Sequence, residues 1–193
     1  VNKRRVAIFV DRDGTINREV DYLHRIEDFA FETGAIEGLH ILQQFGEIYV
    51  VTNQSGIGRG YYTEAQMETL HGYMGDQLTQ HGITISGIYA CPHHVEKGNP
   101  PYNIDCQCRK PNPGMLVQAA HEHQLDLTTS WIIGDKDADI FAGWNAGCRG
   151  AVLITTGHGK EHAAKIRVPD TRPFLFAVMP TLYEAAQWIE RQQ

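Results

Sequence analysis

Short apolar runs recur along this chain between helical stretches, and each breaks off into polar residues. Val6–Val10 is apolar at every position. A strand built from it can expose neither face to water, so it belongs in the middle of a parallel sheet covered on both sides. Ile48–Val51, Ile85–Ala90, Trp131–Ile133 and Ala151–Ile154 repeat the pattern, and Phe174–Val178 reads as a further short strand. Helices separate them. Gly34–Phe45 sets Ile36, Leu39, Ile41 and Leu42 on one side, with Gly46 beyond its end. Thr63–His81 opens on Thr63 with Gln66 three residues on, a capping box, and stops at Gly82. Met115–His123, Ala138–Ala146 before Gly147, and Leu182–Gln192 are three more. The alternation predicts an α/β fold with a doubly wound, mostly parallel, Rossmann-like sheet. No second apolar block is large enough for a cap domain, so residues 1–193 read as one domain.

The balance of 17 basic against 23 acidic residues, a net charge of −6, argues against nucleic acid as a partner. No apolar run approaches the roughly 20 residues of a membrane span, and the N-terminal segment shows no signal-peptide pattern. A cytoplasmic monomer with no membrane partner is the expectation. Asn17–Thr33, Cys91–Pro113 and Thr156–Arg172 carry no periodicity. Loops of this length in a compact domain are usually functional, and the first two adjoin the suspected site.

That site lies where the strands end. Val6–Val10 runs into Asp11-Arg12-Asp13-Gly14-Thr15. Carboxylates at the C-terminal end of a parallel strand face the crevice where open α/β sheets bind ligands. One of the pair can attack while the other handles a proton. The second strand ends in Thr52-Asn53-Gln54-Ser55-Gly56, a hydroxyl and amides able to donate to phosphoryl oxygens. Gly56–Gly60 departs from the dinucleotide spacing G-x-G-x-x-G and reads as a flexible loop. Arg109 and Lys110 bring two cations to a helix start. Trp131–Ile133 runs into Gly134-Asp135-Lys136-Asp137-Ala138-Asp139. Three carboxylates in five residues after a buried strand call for a cation, and hard oxygen ligands suit Mg²⁺. Asp137 fits the acidic first turn of a helix. Asp139 either buttresses the metal or pairs with Lys136 or Lys110.

A second constellation is Cys91-Pro92-His93-His94 with Cys106-Gln107-Cys108. Two pairs at i and i+2 give Cys91, His93, Cys106 and Cys108, a closed tetrahedral set for a structural Zn²⁺ within a loop at 91–108. His94 is a weaker ligand. A Cys91–Cys106 disulfide and isolated thiols are the competing readings, and a reducing compartment disfavours the former. Cys148 reads as a buried free thiol.

Taken together, Asp11-x-Asp13-Gly14-Thr15, Thr52, Lys110 and Gly134-Asp135-x-x-x-Asp139 resemble the four motifs of the haloacid dehalogenase (HAD) phosphohydrolase superfamily. The zinc set, Tyr22, Phe29-x-Phe31, Arg59-Gly60 and Cys108-Arg-Lys-Pro111 narrow the resemblance to its D-glycero-D-manno-heptose-1,7-bisphosphate 7-phosphatase family, over about residues 6–156. The resemblance implies a HAD sheet without a large cap. It implies that Asp11 is the nucleophile of a phosphoaspartyl intermediate, with Asp13 as general acid and then base. Thr52 and Lys110 would stabilise the phosphoryl group. Mg²⁺ would be held by Asp11, the carbonyl of Asp13, and Asp135. Arg12, Glu19, Asp21, Tyr22, Asn53, Gln54, Ser55, Arg109 and Lys136 would contact the phosphorylated sugar. The product would be heptose 1-phosphate, for nucleotide-activated heptose in lipopolysaccharide or other surface polysaccharide. As the acid, Asp13 needs a pKa above the roughly 3.9 of free Asp. The rival readings are a histidinol-phosphate phosphatase, whose loop between the His and Cys-x-Cys ligands is short where this one is long, a non-catalytic zinc-stabilised binding module, and a Rossmann oxidoreductase.

Overall fold

A computed structural model describes residues 5–193 of the chain. Six strands, β1 (Ala7–Val10), β2 (Glu47–Asn53), β3 (Ile85–Cys91), β4 (Trp131–Gly134), β5 (Gly150–Ile154) and β6 (Leu175–Met179), form one sheet in the order β3-β2-β1-β4-β5-β6. Every pairing is parallel. The expected doubly wound sheet is thus present, and wholly parallel where mostly parallel was expected.

The apolar runs earn their central place by alternation. Ile8 and Val10 of β1 pack on one face with Val50, Ile133, Leu39 and Leu182. Ala7 and Phe9 pack on the other with Val51, Met115, Leu116 and Ile140. Each fully buried aliphatic side chain contributes about 1.5–3 kcal/mol, so both layers of helices are held by the same short strands. Helices α1 (Ala35–Leu42), α3 (Glu64–Gln80) and α7 (Leu182–Glu190) lie on the first face, and α4 (Gly114–His123) and α5 (Asp137–Ala146) on the second. The Thr63–Gln66 capping box forms as read, with both reciprocal bonds made.

Several boundaries differ from the sequence reading, and two of them matter. Strand β2 continues to Asn53 and β3 to Cys91, because each pairs with the other up to that point. Thr52 and Asn53 therefore project from a strand, not from a turn. Gly56–Gly60, read as a flexible loop, begins instead in a short helix, α2 (Ser55–Gly58). Thr156–Arg172, read as unstructured, contains α6 (Gly159–Lys165). Its Ile166 is buried and Ala163 partly buried on the second face, an apolar contribution too short to register as a helical period. Among the described residues no helix is long and apolar enough to cross a membrane.

Candidate active site

The strand order places β1 between β2 and β4, so their C-terminal ends meet at one edge. Asp11 continues the β1–β4 pairing, its N–H donating to Ile133 O at 2.9 Å. It is 5% exposed. Its Oδ1 accepts from Lys110 Nζ at 2.8 Å. Lys110 Nζ also donates to Val51 O at 2.6 Å and pairs with Asp139 Oδ1 at 2.5 Å. Burial works against the Lys110 cation, but Asp11 and Asp139 outweigh it and raise its pKa. The lysine therefore stays charged in the interior. Of the alternatives weighed for Asp139, pairing with Lys110 is the one formed, and Asp139 also stands within the carboxylate cluster described next.

Asp11, Asp135 and Asp139 bring carboxylate oxygens within 4.8 Å of one another. Burial, helped by Asp139, pushes Asp11 up to about 6 despite Lys110 and Lys136. Burial and the Asp11 charge push Asp135 up to about 8. Asp135 Oδ2 accepts from His158 N at 2.8 Å, whereas its buried Oδ1 has no partner. A desolvated carboxylate oxygen left unpaired beside two other carboxylates is a strained arrangement that a divalent cation would relieve. The donor set, all oxygen, fits Mg²⁺. Two glycines make room around it. A Cβ at Gly14 (φ 77°) would lie 2.3 Å from Asp135 Oδ2, and one at Gly157 (φ 48°) would lie equally close to the same oxygen. Asp137, as read, sits in the first turn of α5, paired with His162 at 3.1 Å.

Asp13 departs from expectation. Its Oδ1 accepts from Arg12 Nη2 at 2.8 Å, Arg12 Nε at 3.1 Å and Asn17 Nδ2 at 3.0 Å, and its Oδ2 from Gln54 Nε2 at 2.9 Å. Burial alone would raise its pKa; Arg12, Asn17 and Gln54 outweigh it, and the carboxyl is held below its ordinary value of 3.8. The elevated pKa expected of a resting general acid is not what the structure shows. Arg12 is likewise placed differently from the sequence reading. It is 1% exposed, with Nη1 against His71 Nε2 at 3.0 Å and Nη2 donating to Leu23 O at 3.0 Å. Its guanidinium clamps Asp13 from within the protein and lines neither cavity of the site.

Those cavities adjoin. The smaller, about 40 Å³, is lined by Asp11, Asp13, Thr52, Asn53, Lys110, Lys136, Ala138 and Asp139. The larger, about 210 Å³, shares Asp13, Asn53 and Lys136 with it and adds Glu19, Asp21, Tyr22, Gln54, Ser55, Gly56, Tyr62 and His158. Thr52 Oγ1 accepts from Gln54 Nε2 at 2.8 Å, which leaves the hydroxyl proton free to donate. Both ends of the Asn53 amide are engaged by Lys110, its Oδ1 accepting from Lys110 N at 3.0 Å and its Nδ2 donating to Lys110 O at 3.1 Å. Lys136 Nζ pairs with Glu19 Oε2 at 3.2 Å. Arg109 is outside both linings, donating to His93 O at 3.2 Å. Residues missed by the sequence reading are His71, Tyr62, whose hydroxyl donates to Gln54 Oε1, and His158. The last follows the end of β5, at the edge where the other strands had already placed the site, and that position was the available signal.

Cys91, His93, Cys106 and Cys108 converge, with ligand atoms all within 4.8 Å. The Sγ–Sγ distances are 2.9 Å for Cys91–Cys108, 3.3 Å for Cys106–Cys108 and 3.5 Å for Cys91–Cys106. His93 Nδ1 lies 3.3 Å from Cys108 Sγ. All four cysteines of the chain are free, so the disulfide reading fails. A tetrahedral Cys₃His set has the chemistry of a structural zinc site. Cys148 is free and buried, as expected.

A family model for HAD-hydrolase-like proteins matches residues 107–185. The D-glycero-beta-D-manno-heptose-1,7-bisphosphate 7-phosphatase of Escherichia coli K12 is 40% identical over 97% of this chain and 95% of its own length. The D-glycero-alpha-D-manno-heptose-1,7-bisphosphate 7-phosphatase of Photorhabdus laumondii is 46% identical over 81% of this chain and 86% of its own. Among solved structures, the D,D-heptose 1,7-bisphosphate phosphatase of B. bronchiseptica, complexed with magnesium and phosphate, matches with a TM-score of 0.81 and 28% identity, covering 97% of this chain and 99% of that one. An all-parallel sheet gathering Asp11, Asp13, Lys110 and Asp135 at one edge, with identity this high over nearly the whole length, leads to one conclusion: the chain is a phosphoric monoester hydrolase of the HAD-like class and belongs to the heptose-1,7-bisphosphate 7-phosphatase family.

Proposed function

We propose that this enzyme removes the 7-phosphate of D-glycero-D-manno-heptose 1,7-bisphosphate through a phosphoaspartyl intermediate on Asp11, with Mg²⁺ as the catalytic cation. The observation that carries the reading is the pairing of buried Asp11 with buried Lys110 beside the unpartnered oxygen of Asp135. The carboxylates of Asp11 and Asp135 and the backbone carbonyl of Asp13 would hold Mg²⁺. When bound, that ion supplies positive charge against the phosphoryl oxygens.

The chain's own groups carry the remaining chemistry. Asp11 attacks phosphorus, and the bond to the sugar oxygen breaks. Lys110, held charged by Asp11 and Asp139, offsets the repulsion between an anionic nucleophile and an anionic ester. The Thr52 hydroxyl, its lone pair taken by Gln54, turns its proton toward a phosphoryl oxygen. Asp13 gives the leaving alkoxide its proton. Because Arg12 keeps Asp13 ionised at rest, that proton must arrive with the substrate, and a phosphate ester with a second pKa near about 6 carries one in its monoanion. In the second half, Asp13, again a carboxylate, takes a proton from the water that attacks the phosphoaspartyl group, and Asp11 is released. Zn²⁺ would be held by Cys91, His93, Cys106 and Cys108 in a structural role, ordering the loop before Arg109 and Lys110. The heptose 1-phosphate product suits conversion to nucleotide-activated heptose for lipopolysaccharide or another surface polysaccharide.

The test compares kcat/KM for the α and β anomers of heptose 1,7-bisphosphate, fructose 1,6-bisphosphate and histidinol phosphate. The expected result is the highest value for a heptose bisphosphate. A higher value for histidinol phosphate overturns the substrate assignment.

A further inference from the structure

We propose that His158 is a specificity-determining residue for the sugar part of the substrate, its ring completing a hydroxyl-binding wall with Glu19 and Lys136. The inference deepens the proposed function and rests on it.

Three consecutive residues after β5 are built into the site. Thr156 Oγ1 donates to Gly14 O at 2.6 Å. Gly157 passes so close to Asp135 Oδ2 that a side chain there would collide with it. His158 N donates to that same oxygen at 2.8 Å. The backbone of His158 is thus fixed by a buried carboxylate, and its ring is committed to the larger cavity, which it lines. There Nε2 stands 3.4 Å from Glu19 Oε2, the oxygen that also receives Lys136 Nζ at 3.2 Å. The His158 side chain is 41% exposed, against 19% for Glu19, so the ring is the reachable edge of the group.

The chemistry of this wall suits a polyol. Each sugar hydroxyl both donates and accepts, and the wall offers an acceptor carboxylate flanked by an imidazole and an ammonium donor. A leaving group without hydroxyls would cover these groups and leave them unpaired, which is the stronger source of discrimination. Lys136 reaches into the phosphoryl cavity as well, whereas His158 lines only the larger one. Its ring therefore reads the sugar, and its main chain serves the carboxylate cluster.

The test is the ratio of kcat/KM for heptose 1,7-bisphosphate to kcat/KM for p-nitrophenyl phosphate, in wild type, His158→Ala and His158→Gln. Both substitutions keep the backbone N–H that holds Asp135. Losing one hydrogen-bonding partner should lower the ratio about fivefold to tenfold in His158→Ala, chiefly through KM for the sugar. His158→Gln, which returns an amide nitrogen near the position of Nε2, should recover part of it. An unchanged ratio in His158→Ala, whatever the absolute rates, overturns the assignment, as does a Gln variant no better than Ala. If wild type shows no preference for the heptose bisphosphate over p-nitrophenyl phosphate, the functional reading itself falls and takes this one with it. A wild-type preference that survives in His158→Ala sinks only the role of His158.

Discussion

His71 should make this protein lose stability on the acid side of neutrality. The residue lies on α3, 8% exposed, with Nε2 3.0 Å from Arg12 Nη1. Arginine only donates, so Nε2 must accept, and the ring must be neutral. Burial and the Arg12 charge lower the His71 pKa from 6.5 to about 3. In the unfolded chain the ring titrates at its ordinary value. Below pH 6.5 the unfolded state therefore takes up a proton that the native state refuses until about pH 3. The contribution is fully present above 6.5 and is lost as pH falls between those values. The limiting slope is about 1.4 kcal/mol per pH unit, and integrating from roughly pH 7.5 to 5.0 gives about 2 kcal/mol. The perturbation is His71→Gln, which keeps an acceptor oxygen for Arg12 but cannot titrate. Urea unfolding of both proteins at the two pH values should show wild type losing about 2 kcal/mol more than the variant. A difference within the roughly 10–15% extrapolation error of the two measurements would refute the reasoning. So would a ring resonance of native His71 titrating near 6.5.

Three further outcomes test the site directly. Asp11→Asn should abolish turnover while leaving the far-ultraviolet circular dichroism unchanged; retained steady-state phosphate release by that variant would sink the covalent step. Protein purified without added metal should carry about one zinc equivalent, and Cys106→Ser should carry far less by elemental analysis; equal content in both would remove Cys106 from the ligand set. Gly14→Ala places a methyl 2.3 Å from Asp135 Oδ2 and strains a positive φ. It should raise the magnesium concentration needed for half-maximal activity, and an unshifted titration would mean that Asp135 does not hold the ion.

Much of the site could be read without coordinates because buried strands announce themselves. Val6–Val10 and Trp131–Ile133 fixed where Asp11 and Asp135 leave the sheet, and parallel order then brought both to one edge. Lys110 was legible through its spacing after Cys108, although its burial between Asp11 and Asp139 was not. The inward turn of Arg12 was not legible, because it depends on His71 and the Leu23 carbonyl being brought up to receive the guanidinium. The depressed pKa of Asp13 was not legible: Arg12, which lowers it most, is its sequence neighbour, but the folding of that guanidinium back onto the carboxyl, with Asn17 and Gln54 closing on it, is set by the fold. His158 lay in a stretch without visible periodicity, and only the register of β5 against β4 shows that its start reaches Asp135.

The paired amide of Asn53 has a consequence for how this enzyme can diverge. By gripping the peptide on both sides of Lys110, a residue of the sheet moors the lysine independently of the cysteines that precede it. The intervening segment 94–105 is thereby released from the duty of aiming that cation. Changes confined to that segment should therefore leave Lys110 on the Asp11 carboxylate.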